Sequence, residues 1–292
     1  MINKTKKWLL DLGIIEENSI EVIHDRVRDR ADVSVLQCKR SEVIFLSRSD
    51  HMEYSHYQDQ DGFEYWGVGD RAEAVKKTSV DSDRRAFQFK KEILNKRWLD
   101  FGAGAGGVLD KLAPCAKVAF GVEAQDSCRK VLSEAGYQVF ASIDDVPVDD
   151  LEVISLFHVL EHLIDPKSVL EKMASKLSVG GKVIIEVPHA KDFLLSFFNC
   201  PEFKEFTFWS EHLVLHTRES LRILLEASGF KNIKINGCQR FPIANHLHWL
   251  SRGKPGGQEH WEVLRDEALE ASYENLLLKK DCTDTLIAVA EK

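Results

Sequence analysis

Apolar runs of strand length alternate with longer segments of helical period from Arg97 to the end of the chain. This alternation is typical of a mainly parallel β-sheet covered by helices. One run, residues 151–158, is apolar almost throughout, as expected for a central strand that is buried on both faces. The sequence therefore predicts a doubly wound α/β sheet. Its predicted strands are residues 97–101, 117–123, 137–142, 151–158, 182–187, 231–238 and 284–292.

Two of the intervening helices carry start and stop signals. Asp165 predicts the cap of one helix, and Gly180-Gly181 predicts its end. Thr217 predicts the cap of the other, and Gly229 predicts its end. These signals place both helices between strands of the predicted sheet.

Two segments depart from the alternation. Residues 241–280 separate the last two predicted strands, and they contain Pro255-Gly256-Gly257 followed by an amphipathic helix. We predict a loop and a helix inserted there, which either cover part of a binding cleft or pack on the sheet. In the first part of the chain, residues 33–39 and 42–48 alternate as two strands of a hairpin, and residues 84–93 read as a helix. We therefore predict a small α+β extension, residues 1–92, before an α/β domain of residues 93–292.

Charge and composition indicate the class of ligand and the cellular location of the protein. The formal net charge of -8 disfavours a general nucleic-acid binder, and the longest basic cluster, NKTKK, lies where we expect a frayed N-terminus. No apolar stretch approaches the roughly 20 residues of a membrane span, and no signal core follows the first lysines. The cysteines are scattered without a C-x-x-C pair, which favours reduced, buried thiols. We expect a cytoplasmic protein with a small ligand.

A carboxylate and several glycines follow the first predicted strand in the stretch WLDFGAGAGG. Gly102, Gly104 and Gly107 fit the G-x-G-x-x-G turn of dinucleotide-binding folds, and Glu123 ends the next strand. Asp100, however, would repel the pyrophosphate of a dinucleotide. S-adenosylmethionine carries an ammonium and a sulfonium and has no phosphate. Asp100 therefore favours S-adenosylmethionine over a nicotinamide dinucleotide.

The motifs LDFGAGAG, GVEA, ISLFHVLEHLIDP and GGKVIIEVPH occur in this order and spacing over about residues 90–292. Together they resemble the class I S-adenosylmethionine-dependent methyltransferases. Within that class, FHVLEHL and SEHLVLHTRESLRILLEASGF are similar to a bacterial branch that methylates sugars, often in nucleotide-sugar or surface-polysaccharide pathways. The resemblance implies a Rossmann-like sheet of seven strands whose last strand is antiparallel. It also implies S-adenosylmethionine as cofactor and S-adenosylhomocysteine as product.

The resemblance also implies where the methionine end and the ribose of the cofactor bind. The methionine end would be held by four residues of the glycine turn, Asp100, Gly102, Ala103 and Gly104. Glu123 and Ala124 would hold the ribose.

Two further groups of contacts follow from the same resemblance. Ser142, Ile143 and Asp144 would flank the adenine after the third strand, or they form a plain loop. Phe157 and His158, at the end of the fourth strand, would offer backbone carbonyls to the ammonium.

The N-terminal hairpin is similar to the last hairpin of a small zinc ribbon that precedes the core in many relatives of the sugar branch. In LQCKRSEVIFL, Cys38 takes the place of the first thiolate of the C-x-x-C pair, but Ser41 takes the second, and the earlier pair is missing. Tetrahedral thiolate coordination is therefore not available. We predict a metal-free hairpin that keeps the shape of the ribbon.

Methyl transfer to oxygen or nitrogen requires an aligned acceptor and a general base. Histidines crowd the loops after the fourth and fifth strands, at the edge where such sheets bind ligands. WSEHLVLH resembles the Glu-His pair beside the acceptor in sugar C-methyltransferases, so we predict Glu211 as orienting carboxylate and His212 as base. Alternatively, His212 caps the helix that starts after Thr217. His189 is the second candidate base, and His216 is assigned to the helix start.

The H-x-x-E-H sequence His158, Glu161, His162 would place three potential ligands on one side of a helical turn. Some methyltransferases with E-x-x-E-H at this place bind a divalent metal. His158 replaces the first of those carboxylates, which argues against magnesium, whereas zinc or manganese would tolerate the change. We favour a metal-free role for Glu161 or His162 near the acceptor over a divalent metal, and packing or capping of the helix is the third alternative.

Two other features lie before the first strand of the sheet. FEYWG, residues 63–67, either folds over the cofactor, with Tyr65 or Trp66 facing the sulfonium, or packs as ordinary core. Arg84 and Arg85 either bind an acidic group of the acceptor or lie on a solvated helix face.

We therefore predict an enzyme that transfers a methyl group from S-adenosylmethionine to a small-molecule acceptor, a sugar, nucleotide-sugar or glycan intermediate, with a His/Glu general base. One alternative is a binding or regulatory module of the same fold without turnover. A protein or RNA methyltransferase is another, although the motif N/D-P-P-Y/F is missing and the acidic balance disfavours RNA. A homodimer is a further hypothesis.

Overall fold

Two β-sheets organise the residues that the computed structural model describes, which are 3–52, 63 and 66–292. The strands are β1 (Ile20–His24), β2 (Val35–Cys38), β3 (Ile44–Leu46), β4 (Arg97–Phe101), β5 (Val118–Val122), β6 (Gln138–Phe140), β7 (Leu151–Phe157), β8 (Leu177–Pro188), β9 (Val214–Leu215), β10 (Lys231–Cys238) and β11 (Thr285–Glu291).

Helices connect most of these strands. They are α1 (Lys4–Asp11), α2 (Arg71–Lys77), α3 (Ser79–Ile93), α4 (Gly107–Leu112), α5 (Asp126–Glu134), α6 (Pro166–Lys176), α7 (Phe193–Ser196), α8 (Pro201–Thr207), α9 (Arg218–Ala227), α10 (Ile243–Arg252), α11 (Gly257–His260) and α12 (Glu267–Lys280). None of the helices in the described part of the chain is long and apolar enough to cross a membrane.

The larger sheet has the order β10-β11-β8-β7-β4-β5-β6. Its strands are parallel except β11, which runs antiparallel to both β8 and β10. The predicted doubly wound sheet of seven strands with an antiparallel last strand is therefore confirmed.

Both faces of the larger sheet are buried, because successive side chains of a strand point to opposite sides. Leu99, Ile154 and Ile185 contribute to the hydrophobic core on one face. Trp98 and Ile184 contribute to a second core on the other face, together with residues of α3. The apolar runs in the sequence reflect this burial on two sides.

The smaller sheet has the order β1-β2-β3-β9, with every pair antiparallel. The predicted hairpin is confirmed as β2 and β3. Neither β1 nor β9 is predicted from the sequence, because β1 is largely exposed on both faces and β9 has only two residues. Cys38, which stands at the place of a zinc ligand in the related ribbons, is fully buried in the core of this sheet.

Three local predictions are wrong. The NKTKK segment is not frayed, because α1 begins there with Asn3 as its cap, and Leu9 of α1 is buried. α6 ends at Lys176 instead of Gly180-Gly181, since Leu177 already begins β8 beside Leu151 of β7. Residues 243–252 form α10 instead of a loop. The buried face of α10 includes asparagine and histidines, so the sequence does not show the apolar period of a helix there.

Phe45→Ala is expected to lower the free energy of unfolding by about 3–5 kcal/mol. Phe45 is completely buried and pairs with Val214, so the change leaves a cavity where β3 meets β9. Chemical denaturation measures the effect, and Phe87→Ala is the matched control because Phe87 is 91% exposed. Equal stability of the two variants would show that the smaller sheet does not contribute to the cooperative fold.

Candidate active site

The glycine turn between β4 and α4 has a backbone conformation and surroundings that disfavour any residue with a side chain. Gly102, Gly104 and Gly106 have φ values of 78°, 55° and 81°, in the left-handed region that favours glycine. A Cβ atom on Gly102 would lie 2.3 Å from Cγ2 of Val159. The turn therefore packs closely against the loop that follows β7.

An aromatic side chain lies against this turn. A Cβ atom on Gly104 would lie 3.0 Å from Cζ2 of Trp66, and the Trp66 ring also contacts Phe63 at a centroid distance of 5.8 Å. The FEYWG segment thus reaches the glycine turn through Trp66, whereas Tyr65 lies outside the described residues.

Asp100 is a buried carboxylate at the end of β4, only 3% exposed. Ser155 Oγ donates a hydrogen bond to its Oδ1 at 2.7 Å, and Trp98 Nε1 donates to Ser155 Oγ at 2.9 Å. Burial raises the pKa of Asp100 to about 6, although the bond from Ser155 and the charge of Arg85 oppose the rise. A cation bound beside Asp100 would compensate the cost of burying its charge.

Glu123 holds the glycine turn from the end of β5. Its Oε2 accepts a hydrogen bond from Gly104 N at 2.7 Å, and its Oε1 accepts one from Gln125 N at 2.9 Å. Burial raises the pKa of Glu123 against these bonds. Each carboxylate oxygen has a second lone pair, so both can still accept hydroxyl groups of a ribose. Ala124 follows Glu123, and the Ala124 carbonyl accepts a hydrogen bond from Arg129 Nη1 at 2.6 Å.

Residues 142–144 follow β6 and begin a 3₁₀ turn. Ser142 Oγ donates to Asp145 Oδ2 at 2.8 Å, and Asp144 is exposed and pairs with Lys172 at 2.5 Å. Ile143 packs in the core of the larger sheet. The assignment of these residues to the adenine stays a prediction.

A buried glutamate on β8 organises one face of the site. Glu186 is completely buried, and Arg84 and Arg85 of α3 each donate to its carboxylate, at 2.8 and 2.6 Å. Burial alone would raise the pKa of Glu186, but His158 and the two arginines hold it well below its usual range. The solvated helix face considered for Arg84 and Arg85 is therefore wrong. Sequence reasoning missed Glu186, although a charged residue in the apolar run KVIIEV was an available signal.

Arg240 joins the insertion to this face. Its guanidinium donates to both oxygens of Asp81 on α3, and its Nη1 lies 3.2 Å from His158 Nε2. Its backbone N–H donates to Asp284 Oδ2 at 2.9 Å. The insertion therefore reaches the carboxyl edge of the larger sheet, and no feature of the local sequence identified Arg240.

His158 and Phe157 end β7 on the same face. His158 has a φ of 56°, and its Nδ1 donates to Glu161 Oε1 at 3.0 Å while its Nε2 lies 3.2 Å from Glu186 Oε1. Burial and Arg240 lower the pKa of His158, but Glu161 and Glu186 outweigh them and raise it.

Phe157 packs against Phe89, and the guanidinium of Arg85 lies over the Phe157 ring at 4.9 Å. The role of the Phe157 and His158 backbone carbonyls as hydrogen-bond acceptors for an ammonium stays a prediction.

Three side chains with potential ligand atoms converge after β7. One such atom from each of Glu161, His162 and His212 lies within 4.8 Å of the others. The His162 and His212 rings meet edge to face at a centroid distance of 5.1 Å. Glu211 Oε2 lies 3.8 Å from His162 Nδ1, so the predicted Glu211–His212 pair is accompanied by a Glu211–His162 contact.

Two atoms of this cluster are buried without a hydrogen-bond partner, Glu161 Oε2 and His212 Nδ1. Burial and, to a smaller extent, nearby positive charges lower the pKa of His212 to about 3, so its ring is neutral at neutral pH. His212 does not cap the following helix, because Thr217 does so by accepting a bond from Ser220 N.

The H-x-x-E-H sequence does not lie on one side of a helical turn as predicted. Residues Leu160–His162 form a 3₁₀ turn after the positive φ of His158, and His158 faces Glu186 as well as Glu161. The group that converges combines Glu161 and His162 with His212, from 50 residues further along the chain.

His189 and His216 directly follow β8 and β9, and they form an isolated parallel β-bridge with each other. His189 Nδ1 donates to the Thr283 carbonyl at 3.0 Å, its Nε2 is buried without a hydrogen-bond partner, and burial lowers its pKa to about 4. His216 Nδ1 lies 3.1 Å from Ser220 Oγ in the first turn of α9, as expected for a residue that serves the helix start.

Comparison with known proteins gives the family. A model described as a methyltransferase domain matches residues 71–235, more than half of the chain. An uncharacterized protein of Methanocaldococcus jannaschii is 28% identical over 168 residues, which make up 56% of this chain and 76% of that protein.

Solved structures share the fold. One is a chain of the complex between the Haloferax volcanii Trm112 methyltransferase activator and the putative methyltransferase, with a TM-score of 0.53 and 16% identity over 80% of this chain and 98% of that one. Another, from Thermotoga maritima, is described as an S-adenosylmethionine-dependent methyltransferase and possible histamine N-methyltransferase. It has a TM-score of 0.50 and 17% identity over 76% of this chain and 95% of that one.

The fold and the glycine turn define a Rossmann-like methyltransferase. The chain belongs to the methyltransferase-domain family. The residues present fit S-adenosylmethionine, the cofactor that the sequence predicts: the glycine turn follows β4 at the carboxyl edge of the sheet, and the buried Asp100 offers a negative charge to a cationic ligand.

Asp100→Asn is expected to weaken S-adenosylmethionine binding and to stabilise the unliganded protein at pH 7. The raised pKa means that ionised Asp100 costs about 1–3 kcal/mol in the folded state above pH 6, and this cost disappears as the pH falls towards 4. Calorimetric titration and denaturation at pH 7 and pH 4 measure the two effects. Ser178→Ala is the control, because Ser178 lies near the start of β8, at the end of the strand that is remote from the candidate site. A variant that binds the cofactor normally would contradict the role of Asp100.

The same pKa predicts the pH dependence of cofactor binding. Because a cationic ligand requires ionised Asp100, the dissociation constant of S-adenosylmethionine should rise about tenfold for each pH unit below about 6. Binding measured between pH 4.5 and 8 tests this slope. In Asp100→Asn the slope should vanish, and a wild-type affinity that is independent of pH would exclude the effect.

Proposed function

We propose that this methyltransferase acts on a small, sugar-derived acceptor, and that Glu161, His162, Glu211 and His212 orient the acceptor and receive its proton. The observation that carries the proposal is the convergence of Glu161, His162 and His212 directly after β7. Val159, which precedes this group, is the residue against which Gly102 of the cofactor turn packs. The proposed acceptor site is therefore adjacent to the proposed cofactor site.

The cofactor contacts that we propose begin at the glycine turn. Bound S-adenosylmethionine supplies a methyl group on a positive sulfur, which leaves as S-adenosylhomocysteine when the acceptor atom attacks. Asp100 provides a negative charge for the methionine end, and Glu123 accepts hydrogen bonds from the ribose. Trp66 lies against Gly104 on one side of the turn. Residues 142–144 flank the adenine, and the carbonyls of residues 157–158 accept from the ammonium.

The proton of the acceptor requires a base within hydrogen-bond reach. His212 Nδ1 is a buried ring nitrogen without a hydrogen-bond partner, and it lies in the same cluster as the carboxylate of Glu161. His189 also has a ring nitrogen without a partner, but it does not belong to the converging group, and it is buried whereas His212 is half-buried. We therefore assign the base to the cluster and keep His189 as the second candidate.

A sugar hydroxyl suits this cluster because carboxylates and neutral imidazoles accept hydrogen bonds from hydroxyl groups. The resemblance of FHVLEHL and SEHLVLHTRESLRILLEASGF to the sugar branch supports the same acceptor class and a role in polysaccharide biosynthesis. The net charge of -8 supports a small acceptor over RNA. Turnover with nucleotide-sugars distinguishes this proposal from a binding module and from a protein methyltransferase.

His212→Asn is expected to lower kcat about 10²–10⁴-fold, the usual contribution of a general base, while cofactor affinity stays unchanged. A panel of nucleotide-sugars is incubated with the enzyme and S-adenosylmethionine, and the methylated product is identified by mass spectrometry. His24→Asn, in the smaller sheet, is the matched control. If the wild-type enzyme binds the cofactor but methylates no member of the panel, the sugar acceptor is wrong.

A further inference from the structure

We propose that Glu161, His162 and His212 bind a divalent transition-metal ion, with zinc as the preferred ion. The ion would lie in the acceptor site, so its role in catalysis rests on the proposed function, whereas its binding does not. The three residues come from two separate segments, the 3₁₀ turn after β7 and the segment before β9. One potential ligand atom from each lies within 4.8 Å of the others.

The ligand set matches an open zinc site. Zinc is bound tetrahedrally at about 2.0–2.2 Å by imidazole nitrogen and carboxylate oxygen, and catalytic sites use three protein ligands with a fourth position for water or substrate. Two imidazoles and one carboxylate are such a set. Tetrahedral ligand atoms at these bond lengths lie about 3.4 Å apart, so a contraction of up to about 1.4 Å, through side-chain rotation, closes the site.

The surroundings of His162 fit a metal ligand. Its Nε2 faces Glu161 Oε1 at 3.9 Å, and its Nδ1 faces Glu211 Oε2 at 3.8 Å. Histidines that bind metals typically donate their other ring N–H to a carboxylate, which fixes the ring orientation. Glu211 is in position to act as this carboxylate, and it is not itself a member of the three-residue group.

The surroundings of Glu161 and His212 agree with this arrangement. His158 Nδ1 donates to Glu161 Oε1, whereas Glu161 Oε2 is buried without a hydrogen-bond partner. His212 Nδ1 is buried in the same way. Buried polar atoms without partners are costly, and a metal ion would bind both atoms at once.

The structure removes the reason for which the sequence disfavoured a metal. That reason was the histidine at the first place of H-x-x-E-H, but His158 is a hydrogen-bond partner of Glu161 and not a member of the ligand group. His212 takes the third place. A set with two nitrogen ligands suits zinc, whereas magnesium prefers oxygen ligands in octahedral geometry. A bound zinc ion would act as a Lewis acid on an acceptor oxygen. Because the ion would occupy His212 Nδ1, the acceptor proton would then pass to Glu211, the member of the cluster that does not bind the ion.

The test is zinc binding to the full-length protein after its metals have been removed by chelation. Competition with a zinc indicator should give one equivalent of tightly bound zinc, and Co²⁺ should give the visible absorption of a tetrahedral site. Glu161→Gln and His212→Ala should each weaken zinc binding by more than about 100-fold, beyond the 10–100-fold cost of losing an outer partner. His260→Asn is the matched control, because His260 is exposed on the insertion.

Retained S-adenosylmethionine binding in each variant shows that the variant is folded. Absence of a stoichiometric zinc site, or binding that is unchanged in both variants, would overturn the proposal. Zinc binding that depends on the three residues, without methylation of any nucleotide-sugar, would support the metal site and reject the sugar acceptor. Methylation by the metal-free protein at the full rate would leave the proposed function intact and reject a role for the ion.

Discussion

The pairing of β9 with β3 is the contact on which the candidate active site depends. The segment that leads into β9 carries Glu211 and His212, and Leu213 joins it to the turn after β7 and to β3. Leu213 N donates to the Glu161 carbonyl at 2.9 Å, and Leu46 N of β3 donates to the Leu213 carbonyl at 3.1 Å. Because these bonds involve the backbone, they fix the path of the chain, and the side chain of His212 follows. The smaller sheet therefore positions a residue of the proposed acceptor site.

The charged group around Glu186 imposes the second constraint. A carboxylate that is completely buried is tolerated only when its charge is compensated, and Arg84, Arg85 and His158 provide the compensation. Since side chains of a strand alternate between faces, Glu186 lies on the same face of the sheet as Asp100 on β4. Arg85 of α3 thus contributes positive charge near both carboxylates. Arg240 extends the same network to the insertion before the last strand.

Much of the cofactor side could be predicted because its determinants are close together in the chain. Asp100, the glycine turn and Glu123 follow consecutive strands, and a left-handed turn requires glycine whatever surrounds it. The contacts between residues of the proposed acceptor site could not be predicted in the same way. His212 and Glu161 appeared in the sequence as members of two separate motifs. Glu186 and Arg240 appeared as single charges without partners, and Arg84 and Arg85 were equally compatible with solvent.

The sequence by itself determined the α/β class, the strand order along the chain and the glycine turn, because hydrophobic period and backbone conformation depend on neighbouring residues. Only the tertiary structure decided that β1 and β9 complete the smaller sheet, that α10 forms with a polar buried face, and that His212 joins Glu161 and His162 while His158 faces Glu186. These contacts join segments far apart in the chain. Their distances are set by the packing of two sheets, which no local pattern of residues encodes.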